Sequence, residues 1–144
     1  MNRPVPSGAV DANVLLRYLV GDQKQQAAQA TALLQAVERE EAALVCDPVT
    51  LAEVVWVLSS FYELSNAAIS KALLPVVQAP GFLLSDKPRY VRALQLYATT
   101  VRAFGDACAC AAALEEGGGR LYSFDRKLSK VAGVERAEAL PGHD

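Results

Sequence analysis

Residues 104–125, which read FGDACACAAALEEGGGRLYSFD, decide the fold class of this chain of 144 residues. The alanine-rich part from Asp106 predicts a helix, and the three glycines at 117–119 predict its end. The apolar run over residues 120–124 then predicts a buried strand, which Asp125 follows. A helix that leads directly into a strand is typical of α/β domains with a mainly parallel sheet.

The same alternation of short apolar runs and longer helical patterns extends over the rest of the chain. The predicted strands are a brief one ending at Val10 and residues 42–46, 82–85, 120–124 and 134–140. The predicted helices cover about residues 13–20, 23–39, 48–62, 66–78, 87–103 and 106–116, with a short one after Asp125. We therefore expect an α/β fold whose sheet has four or five mainly parallel strands.

The composition is that of one globular domain without a strongly charged coat. A chain of this length with 52% hydrophobic residues can bury one core unaided, so we expect a single domain over residues 1–144. Residues 1–8 should be irregular and residues 141–144 a frayed tail. A net charge of −2 excludes a polybasic nucleic-acid coat but leaves room for local basic patches, and we expect neither a signal peptide nor a membrane span. The expected location is the cytoplasm.

The three cysteines, Cys46, Cys108 and Cys110, lie in apolar surroundings and lack the spacing of a zinc site. Residues two apart on a helix point to different faces, so Cys108 and Cys110 should not share a ligand. We expect all three to be buried free thiols in a reducing compartment.

Four carboxylates stand in or beside apolar segments, where a charge is costly. Asp11, Asp106 and Asp125 each follow a short apolar run and precede a helical one, whereas Glu53 interrupts an apolar helix. In an open parallel sheet, groups at the carboxyl ends of the strands converge on one crevice. Each of the three aspartates could instead be a helix N-cap, a role worth about 1 kcal/mol.

Several other residues predict only where helices begin, bend or end. Gly21 should end one helix, and Pro75 should kink its helix or end it early. The residues expected to cap helices are Asp22, Asp47, Ser65 and Asp86.

Glu53 does not fit the N-cap interpretation. Its helical neighbours are Val49, Trp56 and Val57, so the carboxylate projects from a largely apolar face that we expect to be buried. A buried carboxylate takes up a proton unless a cation or several donors satisfy it. Either a metal ion or an arginine would meet this need.

A cluster of the four carboxylates would require a counter-charge. Two carboxylates about 4 Å apart repel by roughly 4 kcal/mol at an effective dielectric constant of 20. Oxygen ligands without His or Cys favour Mg²⁺ or Mn²⁺ over zinc. Asn13, two residues after Asp11, and Ser123, two before Asp125, could orient a ligand carboxylate or a bound water.

Four blocks of the chain carry a family resemblance. They are DANVLLRYL from Asp11, LAEVVWVL around Glu53, GDACACAAA from Gly105 and SFDRKL from Ser123. In order and spacing they resemble the PIN-domain ribonucleases, in particular the VapC-type toxins of bacterial type II toxin–antitoxin systems. The resemblance runs from about residue 9 to residue 140.

The resemblance implies a three-layer α/β/α sandwich and an endoribonuclease that depends on Mg²⁺ or Mn²⁺. The family's four acids correspond to Asp11, Glu53, Asp106 and Asp125, which would be both catalytic residues and metal ligands. Hydrolysis by a metal-activated water needs no 2′-hydroxyl nucleophile, so the products should carry 5′-phosphate and 3′-hydroxyl ends. The chain's single histidine, His143, lies in the tail and need not act as a base.

The resemblance also implies partners. The substrate would be RNA, whether tRNA, rRNA or mRNA, and a VapB-type antitoxin would hold the enzyme inactive in a complex of homodimers. The candidates for phosphate contacts are basic residues that could equally form solvated helix faces. They are Arg17, Arg126, Lys127 and Lys130.

Three alternatives stay open on the sequence. A haloacid-dehalogenase-like phosphatase also begins from an aspartate after the first strand, but it needs a second aspartate where this chain has Asn13. A non-catalytic binding domain would use the acids as caps alone. A PIN-type nuclease of RNA maturation would act without an antitoxin.

Overall fold

The strands in the described part of the chain pair in parallel, and helices connect them. The computed structural model describes residues 5–140 and residue 142, so residues 1–4 and most of the predicted tail at 141–144 lie outside the described residues. The strands are β1 (Gly8–Ala9), β2 (Leu44–Cys46), β3 (Phe82–Leu84), β4 (Arg120–Tyr122) and β5 (Glu135–Ala137). The helices are α1 (Ala12–Val20), α2 (Lys24–Glu38), α3 (Pro48–Ser60), α4 (Asn66–Gln78), α5 (Lys87–Thr99) and α6 (Phe104–Glu116). A 3-10 helix spans Arg126–Lys130.

The five strands form a three-stranded and a two-stranded sheet. All five predicted strands are present and parallel, although four are shorter than predicted and Gly8, expected in the irregular segment, belongs to β1. The ladders join β1-β2-β3 and, separately, β4-β5. The chain correspondingly divides into two compact units, one ending at Lys87 and one beginning at Pro88. Six helices with mainly parallel strands are consistent with the predicted α/β sandwich.

In the first unit, β2 lies at the centre of its sheet. Leu44 pairs with Gly8 on one side and with Phe82 on the other. Leu44 and Cys46 are buried while Val45 between them is 39% exposed, which is the alternation of a strand covered more on one face. All of β3 is buried, as expected for a short apolar strand between helices.

In the second unit, a tight turn joins α6 to β4. Gly117 ends the helix, and Gly119 has φ +86°, where a β-carbon would lie 2.6 Å from the carbonyl oxygen of Gly133. Only glycine fits this conformation and this close approach. The Gly119 carbonyl accepts a hydrogen bond from the Glu135 N–H at 2.7 Å, which aligns β5 with β4.

Two helix predictions needed correction. The helix α4 has the predicted bounds, Asn66–Gln78, and continues through Pro75, so of the two effects expected of this proline the early end does not occur. The two residues after Pro75, Val76 and Val77, are buried, and their packing offsets the one backbone hydrogen bond that proline removes. The helix predicted over residues 87–103 ends at Thr99.

The cysteine prediction is confirmed in most respects. All three thiols are free; Cys46 and Cys110 are buried and Cys108 is half-buried. Burial raises the pKa of Cys46 and of Cys108 to about 11, so both stay protonated at neutral pH. Within the described part of the chain, no helix combines the length and apolarity that a membrane span requires.

At the junction of α1 and α2, Asp22 forms an ion pair with Arg17 and accepts a hydrogen bond from Tyr62. It does not cap α2 as predicted. Gln23, with φ 55°, occupies the N-cap position of α2 and makes no side-chain capping bond. The Asp22 carboxylate accepts hydrogen bonds from Tyr62 Oη and from Arg17 Nη1, each at 2.7 Å. Residue Gly21, with φ 81°, ends α1 as predicted and lets the chain turn into this arrangement.

The close approach of Gly81 to the end of α2 predicts a large effect of a small substitution. A β-carbon at Gly81 would lie 2.5 Å from the Ala42 carbonyl oxygen and 2.9 Å from that of Val37, both backbone atoms that cannot rotate away. We expect Gly81→Ala to lower the free energy of unfolding by about 1–3 kcal/mol in a urea titration. Gly8→Ala, where a β-carbon meets nothing within 4 Å, is the control. Equal midpoints for the two variants would contradict this account.

The ion pair between Arg17 and Asp22 at the α1–α2 junction predicts that the free energy of unfolding depends on pH. The hydrogen bond from Tyr62 and the charge of Arg17 lower the pKa of Asp22. The stabilisation is therefore fully present above the ordinary carboxyl pKa of about 4 and is lost as the pH falls through the lower value of the folded state. Asp22→Asn should reduce the melting temperature at neutral pH, and the difference from wild type should shrink in strong acid. A difference that is independent of pH would refute the assignment.

Candidate functional site

Asp11 stands at the carboxyl end of β1 and at the start of α1. Its Oδ1 accepts the Val14 N–H at 3.0 Å, which makes it the N-cap of α1. The side chain is exposed, and Oδ2 accepts no hydrogen bond from the described residues. The cap and ligand interpretations are compatible, since the cap uses one oxygen and leaves the other available.

Glu53 is exposed on α3, so the expectation that it is buried was wrong. The helix buries Leu51, Val54, Val55 and Leu58. Its other face carries Val49, 76% exposed, and Trp56, 67% exposed, beside Glu53. Because α3 is apolar on nearly every side, its sequence does not indicate which apolar face packs inward. Among the described residues, no donor or cation contacts the Glu53 carboxylate.

Asp106 lies in the second unit, inside α6. The helix begins at Phe104, so Asp106 is in its first turn, and the interpretation of this residue as an N-cap was wrong. A carboxylate there is favoured by the partial positive charge of the helix N-terminus. The side chain is half-buried, and no hydrogen bond to it occurs in the region that the structure describes.

Asp125 begins the 3-10 helix after β4. Its Oδ1 accepts the Lys127 N–H at 3.0 Å, while its own N–H donates to Ser123 Oγ at 3.0 Å. Ser123 thus holds the backbone of Asp125, which differs from the predicted contact with the carboxylate. The Ser123 carbonyl accepts a hydrogen bond from Arg136 Nη1 at 2.7 Å. Arg136, which sequence reasoning did not identify, therefore fixes the segment that presents Asp125.

The four predicted ligands divide evenly between the two units. Asp11 and Glu53 belong to the first and Asp106 and Asp125 to the second. Over residues 5–140 and 142, no three or more His, Cys, Asp or Glu side chains are grouped so that they could hold a metal ion. The joint metal site of the four acids therefore stays a prediction.

The chemistry of the four side chains suits a hard divalent cation. All are carboxylates, three are exposed, and each retains at least one oxygen that accepts no hydrogen bond from a described residue. Oxygen donors open to solvent are the ligands that Mg²⁺ and Mn²⁺ take in proteins. In donor type and availability, these residues fit such an ion.

The predicted phosphate contacts differ in their surroundings. Arg126, Lys127 and Lys130 are exposed on the 3-10 helix, as a phosphate-binding surface requires. Arg17 is half-buried and already paired with Asp22.

A groove between α1 and α2 was not predicted from the sequence. It has a volume of about 520 Å³ and opens beside Asp11. Its other lining residues are Asn13, Val14, Arg17, Gln26, Gln29, Ala30 and Leu33. The spacing of Gln26, Gln29 and Leu33 places them on one face of a helix, but no feature of the sequence indicates that this face meets Asn13.

Comparison with known proteins gives the family. The chain matches no curated protein closely enough to count as a relative. The model of the PIN domain family matches residues 9–134, which include all four predicted ligand positions and most of the chain. The chain therefore belongs to the PIN domain family, whose members are typically metal-dependent nucleases that act on RNA.

Proposed function

We propose that this protein is an endoribonuclease that hydrolyses RNA phosphodiesters with Mg²⁺ or Mn²⁺. The observation that carries the proposal is the PIN match over residues 9–134, which spans both compact units and all four acids. We further propose that residues 1–144 act as one PIN domain. The exposed carboxylates, each with a free oxygen, support a site that takes up its metal from solvent.

The proposed ligands are Asp11, Glu53, Asp106 and Asp125. When bound, the ion would lower the pKa of a coordinated water and stabilise negative charge at the scissile phosphate. Hydrogen bonds within the chain restrict the conformation of two proposed ligands even when no ion is bound. The bond to the Val14 N–H restricts the rotamer of Asp11, and Ser123 fixes the backbone that carries Asp125.

Positive side chains would hold the RNA backbone. Arg126, Lys127 and Lys130 follow directly on Asp125, so phosphates drawn to them would lie close to this carboxylate. Asn13 is exposed two residues after Asp11 and can donate to a phosphate oxygen or orient a water. These contacts carry no sequence preference by themselves.

We propose further that the nuclease is a VapC-type toxin of the cytoplasm, held inactive by a VapB-type antitoxin and paired as a homodimer. The four matching sequence blocks support this subtype. Exposed apolar side chains on and just after α3 support protein partners, since such side chains gain from being covered. They are Val49, Trp56 and Phe61.

The nuclease proposal predicts a strict requirement for metal and for one carboxylate. The purified chain should cleave RNA with Mg²⁺ or Mn²⁺ and leave 5′-phosphate ends, and EDTA should abolish cleavage. Asp106→Asn keeps the shape of the side chain but removes its charge, so the cleavage rate should fall by about 100-fold or more. Product ends and rates can be read from end-labelled RNA on gels.

Asp47→Asn is the matched control for this experiment. Asp47 caps α3 through the Val49 N–H at 2.8 Å, and asparagine caps helices equally well. The Asp47→Asn variant should therefore retain wild-type activity and stability. Undiminished cleavage in EDTA would overturn the metal-dependent mechanism, and equal losses in Asp106→Asn and Asp47→Asn would remove the special role of Asp106.

The toxin proposal predicts growth arrest that depends on the carboxylates. Controlled expression of wild type in a bacterial host should stop growth, and Asp11→Ala should abolish the arrest at equal protein levels. Sequencing of RNA 5′ ends in the arrested cells should identify the cleaved RNA. Normal growth together with cleavage in vitro would favour a nuclease of RNA maturation instead.

A further inference from the structure

We propose that the groove between α1 and α2 binds one unstacked nucleotide of the RNA substrate and selects its base. The proposal rests on the proposed ribonuclease function and deepens it by assigning a specificity site. The groove lies wholly within the first unit and shares Asp11 with the predicted metal site. A nucleotide held there would be adjacent in the RNA to the phosphate that is cut.

The Arg17 guanidinium is held in place on the wall of this groove. Nη1 donates to Asp22 at 2.7 Å and to Tyr62 Oη at 3.5 Å, while Nε donates to Gln26 Oε1 at 3.3 Å. Tyr62 in turn donates to Asp22 at 2.7 Å, which fixes the carboxylate as well. The two N–H groups of Nη2 are left for a phosphate oxygen, and a side chain positioned in advance loses little entropy when it binds.

Amide side chains in the groove can form hydrogen bonds that distinguish one base from another. Asn13 and Gln29 are exposed in the groove, and their amides make no hydrogen bond with any residue that the structure describes. Gln26 uses its oxygen on Arg17 but keeps its NH₂ group. An amide presents a donor beside an acceptor, the pattern that pairs with the edge of an unstacked base.

The remaining wall and the size also suit a nucleotide. Val14, Ala30 and Leu33 give an apolar surface against which the face of a base can lie. The volume of about 520 Å³ is within the range of roughly 300–1,000 Å³ for small-molecule sites. This space suits one nucleotide, and a lining of three amides beside a guanidinium favours the base and phosphate of RNA over a protein segment.

Side-chain amide signals in NMR spectra test the proposal without cleavage. The ¹⁵N-labelled full chain in EDTA is titrated with each of the four nucleoside 5′-monophosphates and with the corresponding nucleosides. We expect saturable shifts of the NH₂ signals of Asn13, Gln26 and Gln29, with a preference for one base of about tenfold. Cleavage of RNA in Mg²⁺ should then occur preferentially beside that base.

Two variants separate base reading from phosphate binding. Gln29→Leu should remove most of the tenfold preference, whereas Gln35→Leu, the same change at an exposed site on α2 outside the groove, should keep it. Tyr62 does not line the groove, so Tyr62→Phe removes its hydrogen bonds to Arg17 and Asp22, and thus loosens the guanidinium, without altering the walls. Tyr62→Phe should weaken the binding of the monophosphate more than the binding of the nucleoside and leave the base preference intact.

Two results would overturn the assignment. One is the absence of saturable shifts of these three amides with all four monophosphates in the folded wild type. The other is an equal loss of preference in Gln29→Leu and Gln35→Leu. Failure of the ribonuclease proposal gives a different result, namely base-selective binding in EDTA without any cleavage of RNA in Mg²⁺ or Mn²⁺.

Discussion

The parallel pairing of a two-residue strand determines where the first candidate ligand stands. Gly8 and Ala9 alone form β1, and hydrogen bonds beyond its ends extend its attachment to β2. The Ser7 N–H donates to the Ala43 carbonyl at 2.7 Å, and the Val10 N–H donates to Val45 at 2.9 Å. Asp11 follows at once, so its backbone is anchored through β2. The start of α1 and the groove beside it depend on the same anchor.

Exposure changes the physical basis of the proposed metal site. Buried carboxylates would need a cation to offset their lost hydration, but exposed ones such as Glu53 keep their water. Affinity for an ion then depends on several carboxylates contributing to it together. A site of this kind binds metal from solvent reversibly, and its occupancy follows the concentration of free Mg²⁺ or Mn²⁺.

Most elements of the fold could be predicted from the sequence because local signals mark their ends. Asp47 before Pro48 and Ser65 before α4 cap helices as expected, and the glycines after α6 end it. The grouping of five strands into two sheets could not be predicted, since hydrophobic periodicity defines strands and not their partners. Likewise, the apolar pattern of α3 fits either face inward, and only tertiary packing exposes Glu53.

The sequence proposes the acids of the candidate site but not their surroundings. The acids follow from the resemblance of the four blocks to the PIN family and stay a prediction. The partners of Arg17 come from sequence separations of 5, 9 and 45 residues, and no local pattern links Tyr62 to Asp22. Contacts between residues this far apart in the sequence form only when the helices pack against one another. The groove between α1 and α2 exists for the same reason, and its polar lining resembles an ordinary solvated helix surface until α1 is placed against it.

The exposed face of α3 has a further consequence. The chain contains one tryptophan, Trp56, which is 67% exposed and lies one helical turn from Glu53. The tryptophan emission of the protein, excited selectively at wavelengths where its five tyrosines do not absorb, therefore comes from a single exposed indole at this position. Any molecule that covers α3 will shift or quench that emission, whereas a ligand confined to the α1–α2 groove does not touch the ring. The native chain thus carries its own optical probe for events at Glu53.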